Sequence, residues 1–334
     1  MKNYVVFDLN ERSKDTWEEL IGGLSRKTQS EWEFYGRNIG LVKFHSFKRY
    51  LSYFTTSWRL FKKRSQIRNI LSIQQFYGLI FAFYCRLFKV KKNTKLVVLS
   101  FIYKEKPGIL GLVYRNFIRY IITSEYIDKL IVHSASEPEY YSKLLDIEKD
   151  AFKYIPLGVT NDSEKYEHVD ESEFYVLSVG NSNRDFAFVE SSLEGQSYKV
   201  KIFSDEYPSH INGNIHVCSG VSADEYYKEL AGCFCVVIIL KDPFISSGQL
   251  VLLQSYAFGK PVIINRTNGI EDYLDDDCSI IIDKDEEELR TAIRGLINNK
   301  AKRKMISTNA RETFNKKYSL RVMGERIGDV FKAD

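Results

Sequence analysis

Short runs of β-branched and aromatic residues recur along this chain with helical segments between them, and one polar stretch divides the recurrence in two. This double alternation constrains the fold of the 334 residues more than any other feature. Run, helix, run in succession builds a parallel sheet covered by helices on both faces. In the first half the strand-like runs are 4–9, 33–35, 41–44, 95–100, 129–133 and 152–155. Helical segments fall at 16–24, 47–68, 72–88, 107–122 and 137–145. Pro107 suits a first helical turn, and Ser136 reads as the cap of the next helix. Residues 159–174 are polar and read as a linker. The second half repeats the pattern, with strands at 175–179, 199–203, 214–217, 235–240, 261–264 and 279–282 and helices at 185–193, 223–230, 250–258, 270–274, 286–298, 300–318 and 320–333. The expectation is an α/β protein of two lobes, with ligands bound beyond the carboxyl ends of the strands.

Several classes are set aside by what the chain lacks. Its longest strongly apolar stretch in the first half, 76–85, is ten residues, whereas a membrane-spanning helix needs about 20. No leader peptide is read at the start, so the expected location is cytoplasmic. The five cysteines are odd in number and read as free core thiols of a reducing compartment. The histidines (His45, His133, His168, His210, His216) show no metal-ligand spacing, and the adjacent Asp275, Asp276 and Asp277 read as a solvated turn. Neither metal nor cofactor is expected.

Net charge is only +4, but its distribution is uneven. Residues 34–104 hold fifteen Lys or Arg and no Asp or Glu; the rest of the chain carries 33 basic and 44 acidic residues. Cations mixed with aromatics suit an anionic bilayer, with Lys48, Arg49, Arg59, Lys62, Lys63 and Arg64 facing the headgroups. The same composition also fits nucleic-acid phosphates or a plain solvated helix face. No nucleic-acid module accompanies the charge, so the bilayer is the preferred reading and nucleic acid is not an expected partner.

Two turns of the second half have the chemistry of an anion and sugar site. Strand 175–179 runs into Gly180, Asn181, Ser182, Asn183 and Arg184 before a helix. Glycine allows a phosphate to approach closely, the helix start offers free N–H groups, and Arg184 adds charge. An ordinary strand–helix turn capped by Asn183 or Asp185 is the alternative. Ser246, Ser247, Gly248, Gln249 and Leu250 open another helix. Either serine suits a cap, and Gln249 and Gln254 carry amides suited to sugar hydroxyls; a plain capped core helix is the other reading. In the first half His133, Glu105 and Asp8 lie near strand ends and are candidate acids or bases.

The run SSGQLVLLQSYAFGKPVIINRTNGIEDY at 246–273 resembles the donor-binding region of glycosyltransferases of the two-lobed GT-B fold, in particular the group 1 or family 4-like enzymes. VGNSNRD at 179–185, NIHVCSGVSADEYYKELAGC at 214–233 and DKLIVHSASEPEYYSKLLDIEKDAFKYIPLGV at 128–159 extend the likeness. The resemblance implies two Rossmann-like domains facing across a cleft: 1–158 for the acceptor, 172–315 for a nucleotide sugar, and 316–334 as a helix crossing back to the first. It implies Gly180, Asn181 and Arg184 near the donor phosphates, and Ser219, Val221 and Tyr226 near the base. Ser246, Ser247, Gly248, Gln249 and Leu250 would meet the sugar and diphosphate, and Gln254 the ribose. Where the family often has two glutamates eight positions apart, this chain has Ser246 and Gln254. The expected activity is metal-independent transfer of a sugar, from UDP-sugar or a similar donor, to a hydroxyl of a membrane-presented glycan or lipid-linked saccharide in cell-surface polysaccharide synthesis. The enzyme would lie peripherally on the inner face of the cell membrane. The alternative is a catalytically silent GT-B scaffold of a polysaccharide-assembly complex.

Overall fold

The computed structural model describes residues 1–8, 11–36, 46–166, 174–243 and 245–333. It divides into two compact units, Met1–Pro156 with Leu320–Asp334, and Leu157–Ser319. The strand expected at 41–44 and the histidines His45 and His168 lie outside the described residues.

The first unit is built on a six-stranded parallel sheet of β1 (Lys2–Val6), β2 (Glu33–Tyr35), β3 (Ile67–Ser72), β4 (Lys95–Val98), β5 (Lys129–Val132) and β6 (Phe152–Tyr154), in the order β2-β1-β3-β4-β5-β6. Its helices are α1 (Glu11–Thr28), α2 (Ser46–Lys62), α3 (Gln75–Leu87), α4 (Gly108–Ile122) and α5 (Glu137–Leu145). The strand β3 corrects the sequence reading, which ran a helix through residue 68 and began the next at 72. It is an interior strand with both faces covered: Ile67, Ile70 and Leu71 are all buried. Such a strand shows no alternation to distinguish it from buried helix. Its Asn69 is buried too, and donates to Asn3 Oδ1 at 2.9 Å on the neighbouring β1.

The expected cap at Ser136 is also corrected. Its side chain makes no capping bond. Glu137 Oε2 instead accepts from the backbone N–H groups of His133 and Ser134, both at 2.9 Å.

The second unit carries β7 (Tyr175–Val179), β8 (Lys199–Phe203), β9 (His210–Asn212), β10 (Ile215–Cys218), β11 (Cys235–Ile238), β12 (Val262–Asn265) and β13 (Ser279–Ile282). Its sheet order is β13-β12-β11-β7-β8-β10-β9, parallel except where β9 pairs antiparallel with β10. The helices are α6 (Phe186–Leu193), α7 (Ala223–Gly232), α8 (Gln249–Ala257), α9 (Glu286–Asn298) and α10 (Lys300–Thr313). The exposed edge strand β9 was not read from the sequence. One apolar cluster lies on each face of the sheet, centred on Leu177, Leu253 and Tyr256 and on Val200, Val237 and Ile293. Strand order reverses at β7, which has β8 on one side and β11 on the other. In open sheets of this kind that reversal opens a crevice beyond the strand ends.

The last helix, α11 (Leu320–Lys332), belongs to the first unit and packs along α1. The approach is close enough to require glycine. A Cβ at Gly23 would stand 2.1 Å from the Arg321 carbonyl oxygen, and one at Gly324 would stand 2.0 Å from that of Leu20. Gly23 of α1 and Gly324 of α11 thus serve helix packing.

Candidate functional site

Beyond the end of β7 the chain turns at Gly180 with φ of 141°, a conformation that favours glycine. The Arg184 guanidinium lies directly against it; a Cβ there would come within 2.8 Å of Nε. Arg184 Nε donates to the Val179 carbonyl at 3.0 Å and Nη1 to that of Ser182 at 2.8 Å. No carboxylate among the described residues pairs with it. Burial pulls its pKa down to about 10, with the Tyr226 phenol acting the other way, so it is still a cation at neutral pH. A part-buried cation held only by carbonyls is a site that favours an anion.

The Gly180 and Ser246 turns are joined to one another. Asn183, in the left-handed region at φ 55°, donates through Nδ2 to the Asp242 carbonyl at 2.9 Å and to Ser247 Oγ at 3.0 Å. Its Oδ1 accepts from the Asp242 N–H at 2.7 Å. The backbone adds Asp185 N–H to the Ile239 carbonyl at 2.9 Å and Lys241 N–H to that of Asn183 at 3.2 Å. Asn183 therefore bridges the two loops that follow β7 and β11, on either side of the strand-order reversal, while Asp185 caps α6 by accepting from Phe188.

Neither Ser246 nor Ser247 caps α8, contrary to the sequence expectation. Ser247 is engaged by Asn183, and Ser246 Oγ accepts from Gln249 Nε2 at 2.6 Å. Gly248, at φ 92°, stands at the cap position without a side-chain bond. Gln249 also donates to the Gly269 carbonyl at 2.9 Å, tying this turn to the loop after β12. With no side-chain cap, the first N–H groups of α8 remain available to a ligand. Leu250 is exposed on the first turn.

A pocket of ≈ 280 Å³ adjoins the Gly180 turn, lined among others by Gly180, Asn181, Asp205, Val221 and Tyr226. Asn181 shapes its wall: Nδ2 donates to Asp205 Oδ2 at 3.1 Å, and Oδ1 accepts from the Asp205 N–H at 2.8 Å. Asp205 Oδ1 in turn accepts from the Gly220 N–H at 2.8 Å. Ser219, expected near the base, accepts from Ser209 Oγ at 2.8 Å. Tyr226 donates to Gln254 Oε1 at 2.8 Å, while Gln254 Nε2 donates to Tyr227 at 2.9 Å. Burial drives the Tyr226 hydroxyl well above its ordinary pKa, so it is a neutral donor. The sequence reading missed the roles of Asp205 and Tyr227. An acid just past the second strand of a Rossmann-like unit was the available signal for Asp205; Tyr227 had none.

In the first unit, Asp8, Glu105 and His133 follow β1, β4 and β5, all at the carboxyl edge of the sheet. Asp8 accepts from Tyr77 Oη at 2.6 Å and forms an ion pair with Arg49 at 2.8 Å. Glu105 is exposed. The His133 ring contacts the Ile155 carbonyl through Nδ1 at 2.9 Å and Ser100 Oγ through Nε2 at 2.7 Å. A carbonyl only accepts, so Nδ1 carries the proton and Nε2 accepts from Ser100. Burial lowers the His133 pKa, partly offset by the Ile155 bond.

The cations expected at a bilayer lie along α2 and, for Lys63 and Arg64, just past its end. Lys48 is in its first turn, with a side chain outside the described residues, and Arg49 is bound to Asp8. Arg59 is exposed. Lys62 lies over Trp58, Lys63 over Tyr35 and Arg64 over Phe61. A 17-residue helix is about 25 Å long, so these groups occupy its opposite ends.

Residues 184–327 match the family model described as glycosyl transferase-like. The chain has the two-unit GT-B fold of the glycosyltransferases that it resembles. A glycosyltransferase from Rickettsia africae ESF-5 is similar over 99% of this chain and 98% of that one, with a TM-score of 0.66 and 11% identity. The Anabaena protein Alr3699/HepE in complex with UDP and glucose is similar over 100% of both chains, with a TM-score of 0.63 and 12% identity. WaaG, a glycosyltransferase involved in lipopolysaccharide biosynthesis, is similar over 99% of this chain and 98% of that one, with a TM-score of 0.60 and 15% identity. At these identities the structural likenesses speak for the fold. No curated protein matches the sequence. Among the described residues no helix is long and apolar enough to cross a membrane.

Proposed function

We propose that this glycosyltransferase-like chain moves a sugar from a nucleoside diphosphate donor to a hydroxyl of a membrane-presented glycan or lipid-linked saccharide. The observation that carries the donor half is the Arg184 guanidinium, part-buried against Gly180 and held, among the described residues, by carbonyls alone. A diphosphate there would supply the missing negative charge. As the donor bond breaks, that charge grows on the leaving phosphate, and Arg184 with the first N–H groups of α8 stabilises it more than the ground state. Asn181, Val221 and Tyr226 border the base pocket, and Gln254 offers its remaining amide capacity to the ribose. Ser246, Ser247, Gly248, Gln249 and Leu250 surround the sugar. UDP is the first nucleotide to test, since the Anabaena protein of the same fold is described in complex with it.

The acceptor is assigned to the carboxyl edge of the first sheet. Neutral His133 is the preferred base there: its Nε2 accepts from the Ser100 hydroxyl, through which an acceptor proton can pass, whereas Asp8 is held by the Arg49 cation and Tyr77. The basic segment 34–104 supports an anionic membrane surface as the place where acceptor is met. A thermal-shift screen of UDP-, GDP-, dTDP- and CMP-sugars, followed by product analysis with membrane extract, tests this reading. At least one donor is expected to stabilise the protein and be consumed. Stabilisation by none of them would refute it.

A further inference from the structure

We infer that the first turn of α4 is a wedge that inserts into an anionic lipid bilayer. The inference rests on the membrane-presented acceptor proposed above and assigns the contact to residues outside the basic stretch. Helix α4 is apolar on two opposing faces. Gly111, Ile118, Ile121 and Ile122 are buried against the unit. Facing outward, Ile109 is 80% exposed, Leu110 81%, Leu112 59% and Val113 60%. The helix contains no acidic residue. The first six residues of α4, 108–113, carry no polar side chain, and a stretch apolar all round belongs in a non-aqueous setting, yet this end of α4 stands in water.

The local backbone is built to present that tip. Gly108 adopts φ of 73°, and Gly111 packs so tightly on the preceding segment that a Cβ would lie 1.8 Å from the Lys106 carbonyl oxygen. Behind the tip sits a layer suited to headgroups. Lys106 lies 4.5 Å from the centre of the Tyr114 ring, which stacks on Tyr103 at 5.5 Å. Lys104 is exposed nearby in sequence, and Tyr50 of α2, itself exposed, lies within electrostatic reach of Tyr114. Apolar side chains at the front with cations and tyrosines behind is the layering of an interfacial membrane contact. Side chains this exposed, rather than set in a groove, favour a fluid bilayer over a complementary protein pocket. The acid-free segment 34–104 ends just before it, with the exposed Glu105 flanked by Lys104 and Lys106 between them, and supplies charge complementary to anionic lipid.

Co-sedimentation of the full chain with vesicles tests the inference, using phosphatidylcholine alone and phosphatidylcholine mixed with phosphatidylglycerol. The unaltered protein is expected to bind the mixed vesicles. The double variant Ile109→Glu with Leu110→Glu is expected to lose about tenfold or more of that partitioning while keeping its affinity for nucleoside diphosphate. A Leu110→Trp variant reports depth: its emission should shift to the blue on the mixed vesicles and be quenched by lipids brominated along the acyl chain. Equal sedimentation of the double variant, or an unquenched Trp on bound protein, overturns the wedge while leaving the membrane reading intact. No binding of the unaltered protein to either vesicle overturns both. A blue shift that depends on protein concentration without vesicles assigns the tip to a second copy and overturns the wedge.

Discussion

At the carboxyl edge of the second sheet, side chains from different loops bind one another. Asn183 joins the Gly180 and Ser246 turns, Asn181 fixes Asp205, and Gln254 is held between Tyr226 and Tyr227. Within that frame Arg184 has no carboxylate among the described residues. At the corresponding edge of the first sheet, Asp8 is paired, His133 is bonded at both ring nitrogens, and the conspicuous exposed feature is the apolar tip of α4. One edge has the character of a preorganised anion site, in which a rigid frame holds a cation ready for charge. The other has the character of a surface awaiting a less defined, partly apolar partner. The contrast accords with a small charged donor on one unit and a membrane-presented acceptor on the other.

Breaking the frame of the second unit should cost the most. Asn183→Ala removes the bonds to Asp242 and Ser247 and puts a Cβ-bearing residue of poor left-handed propensity at φ 55°. A stability loss of about 2–4 kcal/mol in denaturant unfolding is expected, with donor affinity falling as well. Asn183→Gly keeps the backbone freedom and separates the two causes; it should recover part of the stability and little of the affinity. Next is the seam of the first unit. Gly324→Ala would place a Cβ 2.0 Å from the Leu20 carbonyl oxygen, and backbone cannot yield as a flexible side chain would. A loss of about 1–3 kcal/mol is expected, with donor affinity unchanged. A large fall in affinity from this substitution would blur the contrast between the units.

The smallest effect on stability and donor binding concerns His133. Its pKa is lowered from 6.5 by burial, so it is the neutral, base-competent form at pH 7 and protonates only as pH falls below 6.5. If it is the base, the acidic limb of the kcat/KM profile should lie below pH 6.5. His133→Gln should abolish that limb along with most turnover, leaving donor affinity in place. A profile unaltered by the substitution would remove His133 from the chemistry.

What the sequence could convey differed between these regions for physical reasons. Gly180 and Gly248 follow recognisable strands or open a recognisable helix, and their positive φ favours glycine, so the two turns themselves were legible. The bond from Asn183 to Ser247 spans 64 positions and the pair of Arg49 with Asp8 spans 41, and no local pattern announces either. Interior strand β3 lacked the alternation that identifies a half-exposed strand. The α4 tip was hidden for a related reason: a helix was legible at 107–122, but composition does not say which way Ile109, Leu110, Leu112 and Val113 face. The cations of 34–104 were counted correctly as a group, but a long helix carries them to opposite ends.

Titration calorimetry of Arg184→Ala beside the unaltered protein, with UDP and with uridine, tests the central claim most directly. The account predicts that the substitution weakens UDP binding by about 1.5–3 kcal/mol, roughly tenfold to a hundredfold, and leaves uridine binding unchanged, because only the diphosphate meets the guanidinium. UDP affinity equal in the two proteins would contradict it.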